Sequence, residues 1–177
     1  MIDQIYQWDK FLTDEEYSAV WEQFEKYNWE HKGGEKQHRP IIPIRTFWFK
    51  QLLDSTMIES LFKSKIESFL NTKIETSQLY GNGQAHSQSA WVHRDRSDDE
   101  GSYGSLVYYL HKNWKPEFGG HLIFINEDEP TKVDVSLFPH SNSAVLFNSK
   151  LKHMALEPTV YCEDQRISIA YKFKVIE

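Results

Sequence analysis

The strongest constraint on the fold is a run of short segments after residue 72, rich in β-branched and aromatic residues: KIETSQLY, SLVYYL, HLIFIN, KVDVSLF, SAVLFN, MALEPTV and RISIAYKFKV. Turn-forming residues punctuate the run, with GNG at 81–83, EFGG at 117–120, EDEP at 127–130 and PHSNS at 139–143. Segments of this length and composition read as strands. No helical window separates them, which argues against a parallel sheet built from βαβ units. Seven or eight short strands in about 105 residues point to a sandwich or a jelly roll.

The first third follows a different period. Thr13 and Glu16 form a capping-box pattern ahead of EEYSAVWEQFEKYN, where Tyr17, Val20, Trp21, Phe24 and Tyr27 recur three and four apart. A second helix is predicted over 56–70, with Ile58, Leu61, Phe62, Ile66, Phe69 and Leu70 turned inward. Between the two lies KGGEKQHRPIIPIRTFWF, a loop by its glycines and prolines, with a strand at 44–49. The expected fold class is therefore α+β, mainly β. A single domain would span 1–177, with helical support over 1–72 packed against one sheet of a β core over 73–177.

Composition narrows the function. The chain is 40% hydrophobic and 15% aromatic, too apolar for a disordered segment. A net charge of -6 without any basic run argues against nucleic acid as a partner. The single Cys162 excludes an internal disulfide and a cysteine-rich zinc site. MIDQIYQWDKF lacks the basic and apolar regions of a signal peptide, and no stretch approaches the roughly 20 apolar residues of a membrane span. A cytoplasmic location with no membrane partner is expected. Oligomeric state has no signature here.

One stretch carries candidate chemistry, WVHRDRSDDE at 91–100. A His-x-Asp triplet arises about once by chance in a chain of this composition, so a solvated loop is one reading. A kinase catalytic loop is another, since His93-Arg94-Asp95 spells HRD. That reading requires an Asn five residues beyond the Asp, where Glu100 stands, and a DFG that the chain lacks. The third reading is a metal site. On an extended segment His93 and Asp95 project to one side and Arg94 to the other. His153, downstream of SAVLFN, would supply a third ligand, giving the two-histidine, one-carboxylate set that leaves positions open on iron(II). Arg166, opening an apolar strand, calls for an anion, and a bound dicarboxylate would provide one. Ser168 shares its face. Alternation along SLVYYL puts Ser105, Val107 and Tyr109 on one side of a strand and Leu106, Tyr108 and Leu110 on the other.

Four segments in order, QLYGNGQ, VHRDR, LVYYLHKNWKPEFGGHLIFIN and AVLFNSKLKHMALEPTVYCEDQRISIAYKF, resemble the 2-oxoglutarate- and Fe(II)-dependent oxygenases of the prolyl 4-hydroxylase-like group over roughly residues 76–175. The resemblance implies a double-stranded β-helix (jelly roll) with N-terminal helices packed on one sheet. It implies His93, Asp95 and His153 as iron ligands. Arg166 would hold the C5 carboxylate of 2-oxoglutarate, Tyr109 would add a hydrogen bond, and Tyr80 and Leu122 would line the pocket. The cofactors it implies are Fe(II) and 2-oxoglutarate, with ascorbate a candidate reductant. The activity implied is hydroxylation of an unactivated C–H bond in a peptide or small molecule, such as a prolyl residue or an amino-acid-like compound. A carboxylate at position 95 argues against the related halogenases. Loops 31–46 and 84–104 are the expected substrate enclosure, the second a candidate lid, with Trp91 as a wall or a packing residue. His86, His111, His121 and His140 are expected as surface histidines. Two competing readings are a jelly-roll binding module without catalysis and a cupin-like dioxygenase, which would call for an H-x-H that the chain lacks.

Overall fold

A computed structural model describes residue 2 and residues 4–33, 46–96 and 101–176 of the chain. Helix α1 (Asp14–Glu25) starts where the sequence signals it. The Thr13 side chain accepts from the Glu16 N–H and the Glu16 carboxylate accepts from the Thr13 N–H. Helix α2 (Thr56–Leu70) stops at Asn71, which takes the left-handed conformation that ends many helices. The apolar stripes of both helices face inward. Val20 and Phe24 of α1, and Ile58, Phe62 and Ile66 of α2, are fully buried. Phe69 is 45% exposed, its ring set edge-on against Tyr6 and Trp8.

The strands are β1 (Tyr6–Trp8), β2 (Glu30–Gly33), β3 (Thr46–Gln51), β4 (Lys73–Gln84), β5 (Tyr103–Tyr109), β6 (Leu122–Ile125), β7 (Val133–Leu137), β8 (Ala144–Asn148), β9 (His153–Ala155) and β10 (Arg166–Ile176). They form a seven-stranded sheet, ordered β1-β8-β5-β10-β4-β3-β2, and a three-stranded sheet, ordered β7-β6-β9. Every ladder is antiparallel. This is the jelly-roll arrangement, with the helices covering one face of the larger sheet.

Strand alternation sorts the core into two layers. Leu106 and Tyr108 of β5, Leu146 of β8, and Ile169, Tyr171 and Phe173 of β10 pack with the helices. Tyr109 of β5, Val145 and Phe147 of β8, and Leu122 and Phe124 of β6 pack between the sheets. Burying each such side chain contributes about 1.5–3 kcal/mol relative to exposure. Polar residues of the large sheet that share this inner face are thereby held in an apolar frame.

The structure departs from the sequence-based expectation in three places. GNG at 81–83 is not a turn, because β4 runs through it to Gln84. Its glycines serve close packing: a Cβ on Gly81 would lie 2.5 Å from the Phe24 ring, and one on Gly83 3.0 Å from Trp29. The MALEPTV segment contributes only the three-residue β9. Strands β1 and β2 are additional, each completing an edge of the large sheet. The strand expected at 44–49 is β3, shifted to Thr46–Gln51; residues 34–45 of the first expected substrate loop and 97–100 of the second lie outside the described residues.

Candidate metal centre

His93 and His153 are brought together by the backbone. They form an isolated antiparallel bridge beside β9, His93 N–H donating to the His153 carbonyl at 3.0 Å and the reverse bond measuring 2.9 Å. Their rings lie 4.4 Å apart. Asp95, two residues on, turns to the same side, while Arg94 turns away to the Glu127 carboxylate and the Lys150 carbonyl. One donor atom from each of His93, Asp95 and His153 lies within 4.8 Å of the others. His93 Nε2 stands 3.6 Å from Asp95 Oδ1, and His153 Nε2 stands 3.8 Å from Oδ2.

The surroundings orient these donors. His93 Nδ1 contacts the Trp91 carbonyl at 2.7 Å and His153 Nδ1 the Leu151 carbonyl at 2.9 Å. A carbonyl only accepts, so each Nδ1 carries the hydrogen and each Nε2 offers its lone pair to the common centre. The Ser105 hydroxyl donates to Asp95 Oδ2 at 2.6 Å and is itself 2.8 Å from the Ser149 hydroxyl. Lys172 Nζ pairs with Asp95 Oδ1 at 2.7 Å.

Electrostatics follow from burial and these contacts. Burial alone would raise the Asp95 carboxyl, but His93, Lys172 and His153 hold it well below the usual carboxylate range. Burial drives His153 down to about 4, against the pull of Asp95. Burial also acts to lower His93, yet its contacts with Asp95 and the Trp91 carbonyl leave it raised. A carboxylate kept ionised beside a histidine kept neutral is the protonation state that metal ligation requires.

Arg166 opens β10 at the other end of the site. It is fully buried, and its partners are neutral acceptors: the Gly120 carbonyl at 2.7 Å, Gln84 Oε1 at 2.8 Å and the Tyr109 hydroxyl at 3.4 Å. Among the described residues it makes no ion pair. A buried guanidinium without a carboxylate is costly, and a ligand carboxylate resolves that cost. Ser168 and Ala170, with small side chains, continue the inner row of β10 from Arg166 toward Lys172.

Two imidazoles and a carboxylate suit ferrous iron, and the anion-seeking Arg166 suits a dicarboxylate cosubstrate, so the residues present fit both groups. The predicted positions are distributed as follows. His93, Asp95 and His153 converge; Tyr109, Ser168 and Leu122 lie with Arg166 on inner-layer positions, Ser168 opposite Tyr109 in the ladder. Tyr80 is apart from Arg166. It stands opposite Ala170, its ring stacked 5.2 Å from Phe49 and 5.4 Å from Lys172 Nζ, which places it at the Asp95 end. Trp91 is 51% exposed beside His93 and does not pack on the helices. His111 is not a surface histidine. It is buried, stacked between Tyr109 and Trp114, and pushed down to about 3 by burial and then by Arg166.

Sequence reasoning passed over Lys172, Gln84, Ser149 and the anchoring role of Ser105. Lys172 carries a readable signal, since it lies six residues from Arg166 on one strand and even spacing shares a face. Ser105 already shared a face with Tyr109. Gln84 reaches Arg166 only through cross-strand register, which the sequence does not encode locally.

The family model for the 2OG-Fe(II) oxygenase superfamily matches residues 77–174, more than half of the chain. No curated protein matches the chain by sequence. Among solved structures, a prolyl hydroxylase from Trichoplax adhaerens, in complex with a hypoxia inducible factor oxygen degradation domain peptide fragment, aligns with TM-score 0.69 at 16% identity, covering 97% of this chain and 83% of that one. An oxidoreductase of the 2OG-Fe(II) oxygenase family from Burkholderia pseudomallei gives TM-score 0.75 at 9% identity, over 96% and 84% of the two chains. A Pseudomonas putida prolyl-4-hydroxylase gives 0.63 at 18% identity, over 98% and 93%. At these identities the structural likeness speaks for the fold, and with the family match over residues 77–174 the chain belongs to the 2-oxoglutarate- and Fe(II)-dependent oxygenase superfamily.

Proposed function

We propose that this protein is a 2-oxoglutarate-dependent dioxygenase that hydroxylates an unactivated C–H bond of a prolyl or amino-acid-like substrate. In this reading His93, Asp95 and His153 hold Fe(II), and Arg166, with Tyr109 and Ser168 beside it, binds the C5 carboxylate of 2-oxoglutarate. Leu122 is an apolar wall, and Tyr80 lines the opposite end. The observation that carries the reading is the convergence of the three donors at one end of the inter-sheet space, with a buried arginine at the other end that has no acidic partner among the described residues. The non-catalytic jelly-roll module predicts the opposite on both counts.

When bound, ferrous iron supplies the activation of dioxygen that couples conversion of 2-oxoglutarate to succinate and carbon dioxide with insertion of the other oxygen atom into the substrate. The chain's residues supply orientation and exclusion of water. The Trp91 and Leu151 carbonyls fix the histidine tautomers, Ser105 fixes the carboxylate, and Arg166 fixes the cosubstrate's length and direction. The layer of Leu122, Phe124, Val145 and Phe147 walls off bulk water between the sheets.

The test is anaerobic titration of the protein with Fe(II) and 2-oxoglutarate. A weak visible charge-transfer band is expected in the native protein and its loss in Asp95→Ala. A native protein without the band, or a variant that keeps it, defeats the assignment. Succinate release over prolyl peptides and free amino acids then addresses the substrate.

A further inference from the structure

The inner row of β10 runs Arg166, Ser168, Ala170, Lys172 and the exposed Lys174, with buried or half-buried cations at 166 and 172. Arg166 is sealed in, whereas the Lys172 end is open. The Lys172 side chain is 18% exposed, the neighbouring His93 side chain is 39% exposed, and Trp91 and Val92 beside it are about half exposed. Lys172 therefore lies on the side of the three donors from which a substrate enters.

Charge counting gives this lysine a second task. Within the site itself the described charged side chains are Lys172, Arg166 and Asp95, which sum to one positive charge; farther along the row Lys174 stands opposite Glu75, and Arg96 lies over the Tyr103 ring. Glu127, the acid beyond Arg94, is committed to Arg94 and Lys152. On the function proposed above, Fe(II) and the 2-oxoglutarate dianion cancel, so the loaded site retains the single positive charge. Arg166 faces the C5 carboxylate, and Asp95 is shared between the metal and Lys172. The remaining positive charge thus sits at Lys172, whose ammonium has three donors, gives one to Asp95 and one to the Tyr80 hydroxyl, and keeps the third. The walls around it are aromatic, with Tyr80 stacked on Phe49 and Trp91 at the rim.

A cationic seat in an apolar, half-open frame selects a ligand with an apolar body and one anionic group. We propose that Lys172 is a specificity-determining residue and that the substrate is a free or chain-terminal amino acid whose α-carboxylate binds it. The inference rests on the dioxygenase reading. It separates substrates that reading leaves together, because a proline inside a peptide has no α-carboxylate to offer.

The experiment uses the full chain loaded anaerobically with Fe(II) and 2-oxoglutarate, with the charge-transfer band as the readout. L-Amino acids and N-acetyl-L-proline are each titrated beside their neutral carboxamides. At least one acid is expected to perturb the band with affinity about tenfold or more above its amide, the scale of a hydrogen bond to a charged group. Lys172→Met should erase that preference and Lys172→Arg should keep it. Equal binding of acids and amides, binding of neither, or a preference that survives in Lys172→Met overturns the proposal. Mn(II) affinity without cosubstrate separates specificity from support. Lys172→Met should bind Mn(II) at least as tightly as the native chain, since a cation beside the site is gone. Weaker binding would show that Lys172 merely positions Asp95, and it also overturns the proposal. Absence of the band in the native chain defeats the dioxygenase reading itself, whereas a band with no acid preference defeats only this inference.

Discussion

His111 shows how one side chain reports on its surroundings. Its Nδ1 accepts from the Ile167 N–H at 3.4 Å, so its Nε2 carries the hydrogen, buried and without a partner among the described residues. Its pKa falls from the ordinary 6.5 to about 3, first through burial and then through Arg166. Between those values the unfolded chain takes up a proton and the folded chain does not. The stability contributed by the neutral ring is therefore complete above pH 6.5 and declines as the pH drops toward 3. His153, lowered to about 4, acts in the same direction. Thermal unfolding of the metal-free protein between pH 7.5 and 5 should show a falling midpoint, and His111→Leu should flatten that slope while lowering stability at every pH. A slope unchanged in the variant would assign the pH dependence elsewhere. The sequence exposed part of this residue-level picture. His93, Asp95, His153 and Arg166 are legible because each is a costly or chemically distinctive group at a definite strand position. His111 is not, because its burial depends on Tyr109 and Trp114 closing over both faces of its ring.

Among elements, β4 and β10 matter most. Strand β10 lies in the middle of the large sheet, paired with β4 on one side and β5 on the other, and carries Arg166 and Lys172 on its inner face. Its alternating pattern is plain in RISIAYKFKV, so this strand is legible in the sequence. Strand β4 is harder to read, because GNG mimics a turn and an irregularity near Ser77 shifts its phase, so that Ile74 and Leu79 both face the helices. What keeps GNG extended is tertiary, its pairing with β3 and β10, and Phe24 from α1 fills the space over Gly81. Gly81→Ala should therefore lower stability by about 1–3 kcal/mol, the usual cost of overpacking a core, as read from chemical denaturation. A combined Gly81→Ala and Phe24→Leu variant should recover part of the loss. An unaffected single variant would mean that α1 yields easily. Strands β1 and β2 are three and four residues long, too short for periodicity to announce them.

At the scale of the molecule, the strands after residue 72 and their double-layer packing were legible, because turn residues and two-residue alternation recur along that part of the chain. The division into seven strands and three was not, since it depends on which segments meet across long loops. Two layers and one face bearing helices leave the inter-sheet space as the shared property of both sheets, with Arg166 from one and His153 from the other. Ligands that bridge them should stabilise the whole fold. With Mn(II) saturating, 2-oxoglutarate at about 100 times its dissociation constant adds about 2.7 kcal/mol by linkage, or roughly 5–10 °C in the midpoint for a chain of this size. Differential scanning calorimetry should show this shift in the native protein, and Arg166→Met should lose most of it. The unliganded variant should be as stable as the native chain or more so, because Met removes an unpaired buried charge. Equal ligand-induced shifts in both proteins would remove Arg166 from cosubstrate binding. No described helix is long and apolar enough to cross a membrane.

The strip carrying His93 and Asp95 is fastened beside His153 by few backbone bonds: Ala90 N–H to the Ala155 carbonyl, the reciprocal pair between His93 and His153, and Arg96 N–H to the Ser149 carbonyl. Peeling that strip away removes two of the three donors in one stroke and leaves the third on its sheet. On the proposed function, capture and escape of an ion would be tied to this single local zipper, and its residence time would follow the rate at which a few amide contacts unfasten.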